Sequence, residues 1–287
     1  MSLKHELNIS NVPDLLQIDS NLTYAQVPGW LNQTTRELHL SVIRHQKRFD
    51  NHKFPVILWF AGGAWMDVDY NVHLADLTAY AKRGFVVVDV EYRDSNKTKF
   101  PGQLEDAKAA IRYLKKNAAK FQIDPTKIIA MGESAGGHLA SMLGVTNDSE
   151  KFNVGDNLNF DSKVALAIPW SGVVDPLTTM NSNRTDDHNF MYRNFLGKKP
   201  DQSQILNDRA DPLKYIDSTT VPFFILHGTD DSVVPISNAE ELAQKLTEHN
   251  ITNELYEIKG ARHMDPKFWH PEITQLIVDF INNQLEN

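Results

Sequence analysis

The segment from Lys127 to Gly144 reads KIIAMGESAGGHLASMLG, and the interpretation of the whole chain starts from it. An apolar run from Lys127 to Met131 leads into Gly-Glu-Ser-Ala-Gly, and small residues from Ala135 to Gly144 follow. The spacing matches Gly-x-Ser-x-Gly, a sharp strand-to-helix turn that lifts a serine hydroxyl off the edge of a sheet. Small flanking residues let the strand and the helix pass closely. We therefore predict a strand, a tight turn at Ser134 and a helix.

Further predicted strands and helices flank this turn. Short runs rich in Val and Ile are typical of strands covered on both faces, and they occur at Val56–Phe60, Phe85–Val90, Val164–Ile168, Phe223–Leu226 and Leu255–Ile258. Helical apolar stripes occur at about Val72–Arg83, Gln103–Lys120, Ser237–His249 and Pro271–Gln284. This alternation predicts an α/β fold with a mostly parallel central sheet and helices on both faces. Ligands of such sheets bind beyond the carboxyl ends of the strands.

The organisation outside these elements is less regular. From Arg36 to Val42, apolar and polar residues alternate and predict a half-exposed antiparallel strand. Residues 1–34 carry turn signals such as Pro13, and we expect them to lie across the outside of the domain. No linker interrupts the pattern, so we expect a single domain over residues 1–287.

One long insertion separates two predicted strands. Residues 172–220 are far longer than an ordinary connection and include the polar stretch MNSNRTDDHN. An insertion of this kind can be a cap or a pocket wall. It can equally be a solvated excursion with one or two short helices.

Composition excludes several classes of partner and chemistry. The formal net charge of −8 disfavours contact with phosphate backbones, so we expect no nucleic-acid partner. The chain has no cysteine, which excludes disulfides, thiolate nucleophiles and cysteine metal ligands. No stretch approaches the ~18 apolar residues of a membrane span, and the N-terminus lacks a signal-peptide core. We therefore expect no membrane association and a cytoplasmic location, with the oligomeric state left open.

Cofactor motifs do not occur in the sequence. The histidines lack His-Glu-x-x-His spacing, and neither Gly-x-Gly-x-x-Gly nor a phosphate-binding lysine motif is present. We therefore expect no metal and no organic cofactor.

A serine hydroxyl is a poor nucleophile until a base takes its proton. In strand-turn-helix sites of this kind the order along the chain is Ser, then Asp or Glu, then His. The histidines downstream of the turn are His138, His188, His227, His249, His263 and His270. His263 is the preferred base because it follows a predicted strand and a flexible Lys-Gly-Ala-Arg loop. His270, beside Pro271 at a predicted helix start, is the second choice.

The remaining groups of such a site come from two further loops. The acid should follow the strand that ends at Leu226, where HGTDDSVVP offers both Asp230 and Asp231, one of them as a turn cap. Main-chain donors for an oxyanion should be Ala135, just after the serine, and the loop AGGAW at residues 61–65.

These motifs together resemble the α/β-hydrolase superfamily. More narrowly, they resemble its esterase branch of hormone-sensitive-lipase-like carboxylesterases, feruloyl-esterase-like proteins and arylformamidases. The resemblance covers roughly residues 36–285 and rests on AGGAW at 61–65, VEYR at 90–93, FPGQLEDAKAAIRYL at 100–114, IDPTKI at 123–128, GESAGGHLA at 132–140, HGTDDSVVP at 227–235 and ARH at 261–263.

The resemblance also implies roles for individual residues. In the family the acid begins an Asp-x-x-Val-Pro run, which favours Asp231. Gly63 and Ala64 are implied as oxyanion donors together with Ala135. Two departures stand out. Ala61 replaces a histidine that usually braces the oxyanion loop, and Glu91 replaces a more usual Asp at what we interpret as a structural position.

The sequence and the resemblance together predict a serine carboxylesterase. Ser134 would attack short- to medium-chain esters, aryl esters among them, to form an acyl-enzyme, with His263 as base and Asp231 orienting it. Pocket walls are predicted at Trp65 and Trp170, with aromatic residues around Phe190 and Tyr192. The alternatives are an amidase, arylformamidase or peptidase of the same fold, or a catalytically silent homologue that binds a small ligand.

Overall fold

The apolar runs of the chain pair side by side in a central sheet. The computed structural model describes residues 3–9, 15–29, 32–46, 52–66, 69–176, 179, 186–197 and 204–286. In this part of the chain the strands are β1 (Leu16–Pro28), β2 (Thr35–His45), β3 (Phe54–Phe60), β4 (Val86–Val90), β5 (Ile123–Glu133), β6 (Leu166–Trp170), β7 (Phe223–Gly228) and β8 (Asn253–Ile258). These eight described strands form one sheet in the order β1-β2-β4-β3-β5-β6-β7-β8.

Most of this sheet is parallel. Strands β3 to β8 pair in parallel, whereas β2 runs antiparallel to both β1 and β4. The predicted mostly parallel sheet is confirmed. Because parallel strands end at the same edge, the loops after β3, β5 and β7 all open there.

Helices cover both faces of the sheet, as predicted. Their bounds are α1 (Leu74–Ala81), α2 (Gly102–Lys116), α3 (Ala118–Phe121), α4 (Ala135–Val145), α5 (Asp186–Leu196), α6 (Gln204–Ala210), α7 (Ser237–Glu248) and α8 (Pro271–Leu285). Helices α2, α4 and α7 bury their apolar stripes in a first core, and α1 and α8 do so in a second core on the other face. Among the described helices, none combines the length and apolar character that a bilayer crossing requires.

The N-terminal edge of the sheet differs from the sequence prediction. Residues 16–28 form strand β1, which pairs antiparallel with β2, although no strand was predicted there. The register shifts between Asp19 and Leu22 and again between Thr23 and Ala25. These irregularities break the strict alternation of apolar and polar residues by which a strand is recognised in a sequence.

Strand β2 is also more buried than its sequence pattern predicts. Its middle, from Leu40 to Ile43, is buried because its side chains enter both cores: Leu40 and Val42 pack in the first core, and Ile43 packs in the second. Glu91, just after β4, accepts from Arg36 at 2.8 Å and from the His39 amide at 2.9 Å. These contacts join β2 to the end of β4, which agrees with a structural position for Glu91.

The long insertion is described in part. Between residues 172 and 220 the described segments contain α5, α6 and a short 3₁₀ turn at Pro212–Lys214. Most of the stretch MNSNRTDDHN at residues 180–189 lies outside the residues that the structure describes.

A buried histidine attaches this insertion to the helix that follows the serine turn. His138 on α4 is fully buried, and its Nε2 donates to the Ala210 carbonyl at 2.7 Å, at the end of α6. Burial lowers the pKa of His138 from 6.5 to about 4, and the hydrogen bond to Ala210 only partly opposes this. The imidazole is therefore neutral in the folded protein at neutral pH.

This shift predicts a pH dependence of stability. The folded pKa lies below the unfolded one, so between about pH 6.5 and 4 the unfolded chain binds more protons. The stability that His138 contributes is full above pH 6.5 and is lost as pH falls, by about 3 kcal/mol in the limit. Urea unfolding of His138→Gln, which keeps an amide donor, should show a shallower acid slope. The exposed His249→Gln serves as the control, and a slope equal to wild type in His138→Gln would contradict the assignment.

Candidate active site

The turn at Ser134 has the strained backbone that its motif predicts. Ser134 adopts φ 53° and ψ −116° between the end of β5 and the start of α4. A positive φ is unfavourable for a residue with a Cβ, so the surrounding structure must hold it. Part of that support is a hydrogen bond from the Ser134 amide to the Trp170 carbonyl at 2.8 Å on the neighbouring strand.

Two glycines make the turn sterically feasible. A Cβ on Gly136 would lie 1.8 Å from the Phe60 carbonyl oxygen on β3. A Cβ on Gly132 would lie 2.6 Å from that same oxygen. The start of helix α4 and the end of strand β5 thus approach the end of β3 at a distance that only glycine permits.

Three side chains that lie far apart in the sequence meet above this turn. The Ser134 hydroxyl lies 2.9 Å from His263 Nε2, and His263 Nδ1 lies 2.7 Å from Asp231 Oδ2. His263 is in the loop after β8, and Asp231 is in the loop after β7. An arrangement of this kind can pass the hydroxyl proton to the imidazole while the carboxylate holds the ring orientation.

The structure distinguishes the two neighbouring aspartates. Asp231 is buried, and its Oδ1 accepts from the amides of Val233 and Val234, both at 2.8 Å. Burial alone would raise the pKa of Asp231, but the hydrogen bond and charge of His263 outweigh it and keep the pKa below its usual value. Asp230 is exposed, and its side chain accepts from the Thr229 hydroxyl.

The residues expected to donate to an oxyanion face the same site. Gly63 and Ala64 have φ values of 124° and 54° in the loop after β3, and Ala64 lines the same cavity as Ser134. In the described part of the chain, neither amide donates to a backbone carbonyl. Ala135 is the first residue of α4, so its amide has no partner within the helix. Main-chain donors without partners are what a developing negative charge requires.

Other contacts brace this loop although Ala61 replaces the usual histidine. The Tyr92 hydroxyl donates to the Ala61 carbonyl at 2.7 Å, and the Ser95 amide donates to the Trp65 carbonyl at 2.6 Å. The Trp65 ring stacks on Phe195 of α5 with centroids 4.0 Å apart. The loop is therefore fixed by hydrogen bonds at both ends and by one ring stack.

A small, mostly apolar cavity adjoins the Ser134 hydroxyl. Its volume is about 30 Å³, and the described residues around it are Ala64, Trp65, Ser134, Ala135, Val173, Met191, Tyr192, Val233 and Val234. Trp65 and Tyr192 thus lie where the sequence prediction placed pocket walls. Phe190, one position before Met191 on α5, is 51% exposed and does not line the cavity.

Trp170 lies elsewhere, contrary to the prediction. Its ring packs in the second core, with centroids 5.1 Å from Trp59 and 5.6 Å from Phe268. Successive side chains of a strand point to opposite faces of the sheet, and position 170 points away from the cavity. Its main-chain carbonyl contacts the turn by accepting a hydrogen bond from the Ser134 amide.

The other histidines that the sequence offered as candidate bases make different contacts. His227 is fully buried, and its Nε2 lies 2.9 Å from the Val234 carbonyl, across the loop that carries Asp231. His270 caps the start of α8 through the Glu272 amide. Sequence reasoning missed His73, which precedes the serine in the chain and contacts Glu133 inside the Gly-x-Ser-x-Gly motif at 2.9 Å.

Comparison with known proteins agrees with this fold. The sheet, the strained serine turn and the converging histidine and aspartate define a member of the α/β-hydrolase superfamily of the serine-hydrolase type. The BD-FAE family model matches residues 43–246, well over half of the chain. The chain therefore belongs to the BD-FAE family.

Curated relatives are named as esterases. The probable carboxylic ester hydrolase LipM of Mycobacterium tuberculosis is 29% identical over 74% of this chain and 49% of its own length. Esterase LipQ of the same organism is 27% identical over 79% of this chain and 54% of its own length. The chain thus spans about half the length of the curated relatives it matches.

Solved structures match over nearly the whole chain. A truncated carbohydrate esterase from gut microbiota has a TM-score of 0.83 at 25% identity, covering 94% of this chain and 97% of that one. A thermophilic esterase of Thermogutta terrifontis with bound propionate has a TM-score of 0.73 at 25% identity, covering 92% and 93%.

The bracing of the loop after β3 leads to a testable expectation. Tyr92→Phe removes the hydrogen bond to the Ala61 carbonyl and loosens the Gly63 and Ala64 amides. The second-order rate constant for labelling Ser134 with a fluorophosphonate, whose phosphoryl oxygen needs those donors, should fall by about tenfold. Tyr256→Phe on the edge strand β8 should label at the wild-type rate. An unchanged rate in Tyr92→Phe would show that this bond does not hold the loop.

Proposed function

We propose that this protein is a serine carboxylesterase. The observation that carries the proposal is the hydrogen-bonded series Ser134–His263–Asp231, with distances of 2.9 and 2.7 Å. The named esterases among its relatives support the same reaction. The proposal covers residues 1–287 as one domain in which the described parts of residues 172–220 form a pocket wall.

In the proposed mechanism, Ser134 attacks the ester carbonyl while His263 accepts the hydroxyl proton. Asp231 keeps the imidazole in the required orientation and stabilises its positive charge. The carbonyl oxygen becomes an anion held by main-chain N–H groups of Gly63, Ala64 and Ala135. His263 then protonates the leaving alcohol.

The second half of the reaction reuses the same groups. With the alcohol gone, His263 takes a proton from a water molecule, which attacks the acyl-enzyme and releases the carboxylic acid. The proposed route uses only groups of this chain and water. Its partner is a small-molecule ester.

Two narrower statements belong to the same proposal. The net charge of −8 supports the lack of a nucleic-acid partner. A cytoplasmic location is proposed on the sequence expectation alone.

Ser134→Ala tests the nucleophile. Wild-type protein should hydrolyse p-nitrophenyl acetate and take up one fluorophosphonate per chain, and the variant should lose both because the hydroxyl that His263 would deprotonate is gone. Ser171→Ala is a matched control, since Ser171 is also buried with a positive φ, of 43°, at the end of the neighbouring strand. Labelling that persists in Ser134→Ala would refute the assignment, and a wild type that neither labels nor turns over would support a silent homologue. Paired ester and anilide substrates would separate an esterase from an amidase.

The size of the cavity sets the expected acyl length. About 30 Å³ beside Ser134 accommodates only a few heavy atoms. Across p-nitrophenyl esters, kcat/KM should be highest for acetate or propionate and lower by at least about tenfold for hexanoate.

A cavity variant and its neighbour check this limit. Met191→Ala enlarges the cavity and should raise the hexanoate-to-acetate ratio of kcat/KM. Phe190→Ala, on the same helix but exposed, should leave that ratio unchanged. Hexanoate turnover as fast as acetate in the wild type would show that the acyl chain binds elsewhere.

A further inference from the structure

His73 contacts Glu133, the residue that directly precedes Ser134. Its Nε2 is 2.9 Å from Glu133 Oε1, and its Nδ1 is 3.5 Å from Asp76 on the same helix. The two side chains of the His73–Glu133 pair are 17% and 4% exposed. A pair this buried is held in one geometry more firmly than an exposed surface pair.

Within the His73–Glu133 pair, Glu133 adjoins both the serine turn and the loop after β3. It directly precedes Ser134 and is the last residue of β5. A Cβ on Gly62 would lie 3.3 Å from Glu133 Cγ, so the glutamate side chain also packs against the loop that carries Gly63 and Ala64. A shift of the Glu133 side chain would therefore act on the serine and on the expected oxyanion donors together.

The other side of the His73 ring contacts the segment that follows His263. Trp269 lies 4.7 Å from His73 by ring centroids, at an interplanar angle of 34°. Trp269 ends the 3₁₀ turn Pro266–Trp269, which begins shortly after His263. The His73 imidazole thus contacts both the end of strand β5, which precedes Ser134, and the 3₁₀ turn that follows His263.

The pKa of His73 is shifted in the direction that favours a charged imidazole. Burial by itself lowers the pKa of His73, but the hydrogen bond and charge of Glu133, with Asp76, outweigh burial and raise the pKa above 6.5. A protonated imidazole gives the buried Glu133 carboxylate a charged partner. Charge-assisted hydrogen bonds of this type are shorter and stronger than neutral ones.

We propose that His73 and Glu133 are a pair of positioning residues that fix the serine turn and the His263 loop relative to each other from behind the site. The pair touches neither substrate nor reacting atoms and acts through Ser134, Gly62 and Trp269. This inference rests on the proposed esterase function. It adds two residues, both of which precede Ser134 in the chain, that the reaction requires in addition to the Ser–His–Asp series.

The test compares variants of the full chain. His73→Leu removes the donor, and His73→Gln keeps an amide donor at a similar reach without the charge. The double variant His73→Leu with Glu133→Leu leaves no buried charge without a partner, so it controls for simple destabilisation. His45→Leu is the matched control, because His45 Nε2 contacts the Ala81 carbonyl at the other end of α1 and does not contact Glu133.

Each variant is assayed with p-nitrophenyl acetate, and kcat is normalised to the sites that react with fluorophosphonate. We expect kcat to fall by at least about tenfold in His73→Leu and in the double variant, with KM changed less than about threefold, because a displaced serine turn slows the chemical steps. His73→Gln should recover most of the lost kcat, and His45→Leu should match the wild type.

The outcomes separate this inference from the proposed function. If the wild type is active and His73→Leu or the double variant keeps kcat within about twofold, the pair is only structural and the inference is overturned. If kcat falls in His73→Leu but recovers in the double variant, the inference is also overturned, because the fall in kcat then came from a buried Glu133 carboxylate without a partner. A wild type without turnover or labelling would overturn the esterase proposal and this inference with it.

Discussion

Strand β5 turns into helix α4 with so little room beneath it that a Cβ on Gly136 would lie 1.8 Å from the Phe60 carbonyl oxygen. That close approach forces Ser134 into a backbone conformation that a residue with a Cβ otherwise avoids. It also places the Ala135 amide, free at a helix start, beside the same hydroxyl. The strain is sustained because α4 and the strands beneath it are packed without space to relax.

Around this turn, loops after three other strands supply the groups that the serine needs. The loops after β7 and β8 bring Asp231 and His263, and the loop after β3 brings its amides. The loss of the histidine usually found at position 61 does not leave that loop unsupported, because Tyr92 and the Trp65–Phe195 stack hold it. That stack also ties the pocket wall to the expected oxyanion donors, so cavity shape and loop position are set by common contacts.

From the sequence, chain order and loop placement in a parallel sheet predicted that Ser134, His263 and an aspartate of the loop after β7 converge, and the family resemblance favoured Asp231 over Asp230. The prediction from the sequence was less accurate where the direction of a side chain mattered. Trp170 lies at the end of its strand nearest the site, but its side chain points to the opposite face of the sheet. Side chains alternate between the two faces, so a difference of one residue changes the face. His73 gave no signal, since it precedes the serine and its hydrogen-bond partner at the site, Glu133, lies 60 positions away.

By itself, the sequence determined the fold class, the alternation of strands and helices from β2 onward outside the insertion at residues 172–220, and the position of the serine turn. Local features encode all three: apolar periodicity, small residues and glycine spacing. Only the tertiary structure decided which aspartate faces His263, which aromatic rings reach the cavity and what braces the loop at Ala61. Those outcomes depend on contacts between segments far apart in the chain, and the relative placement of such segments is fixed by packing, which no short stretch of sequence specifies.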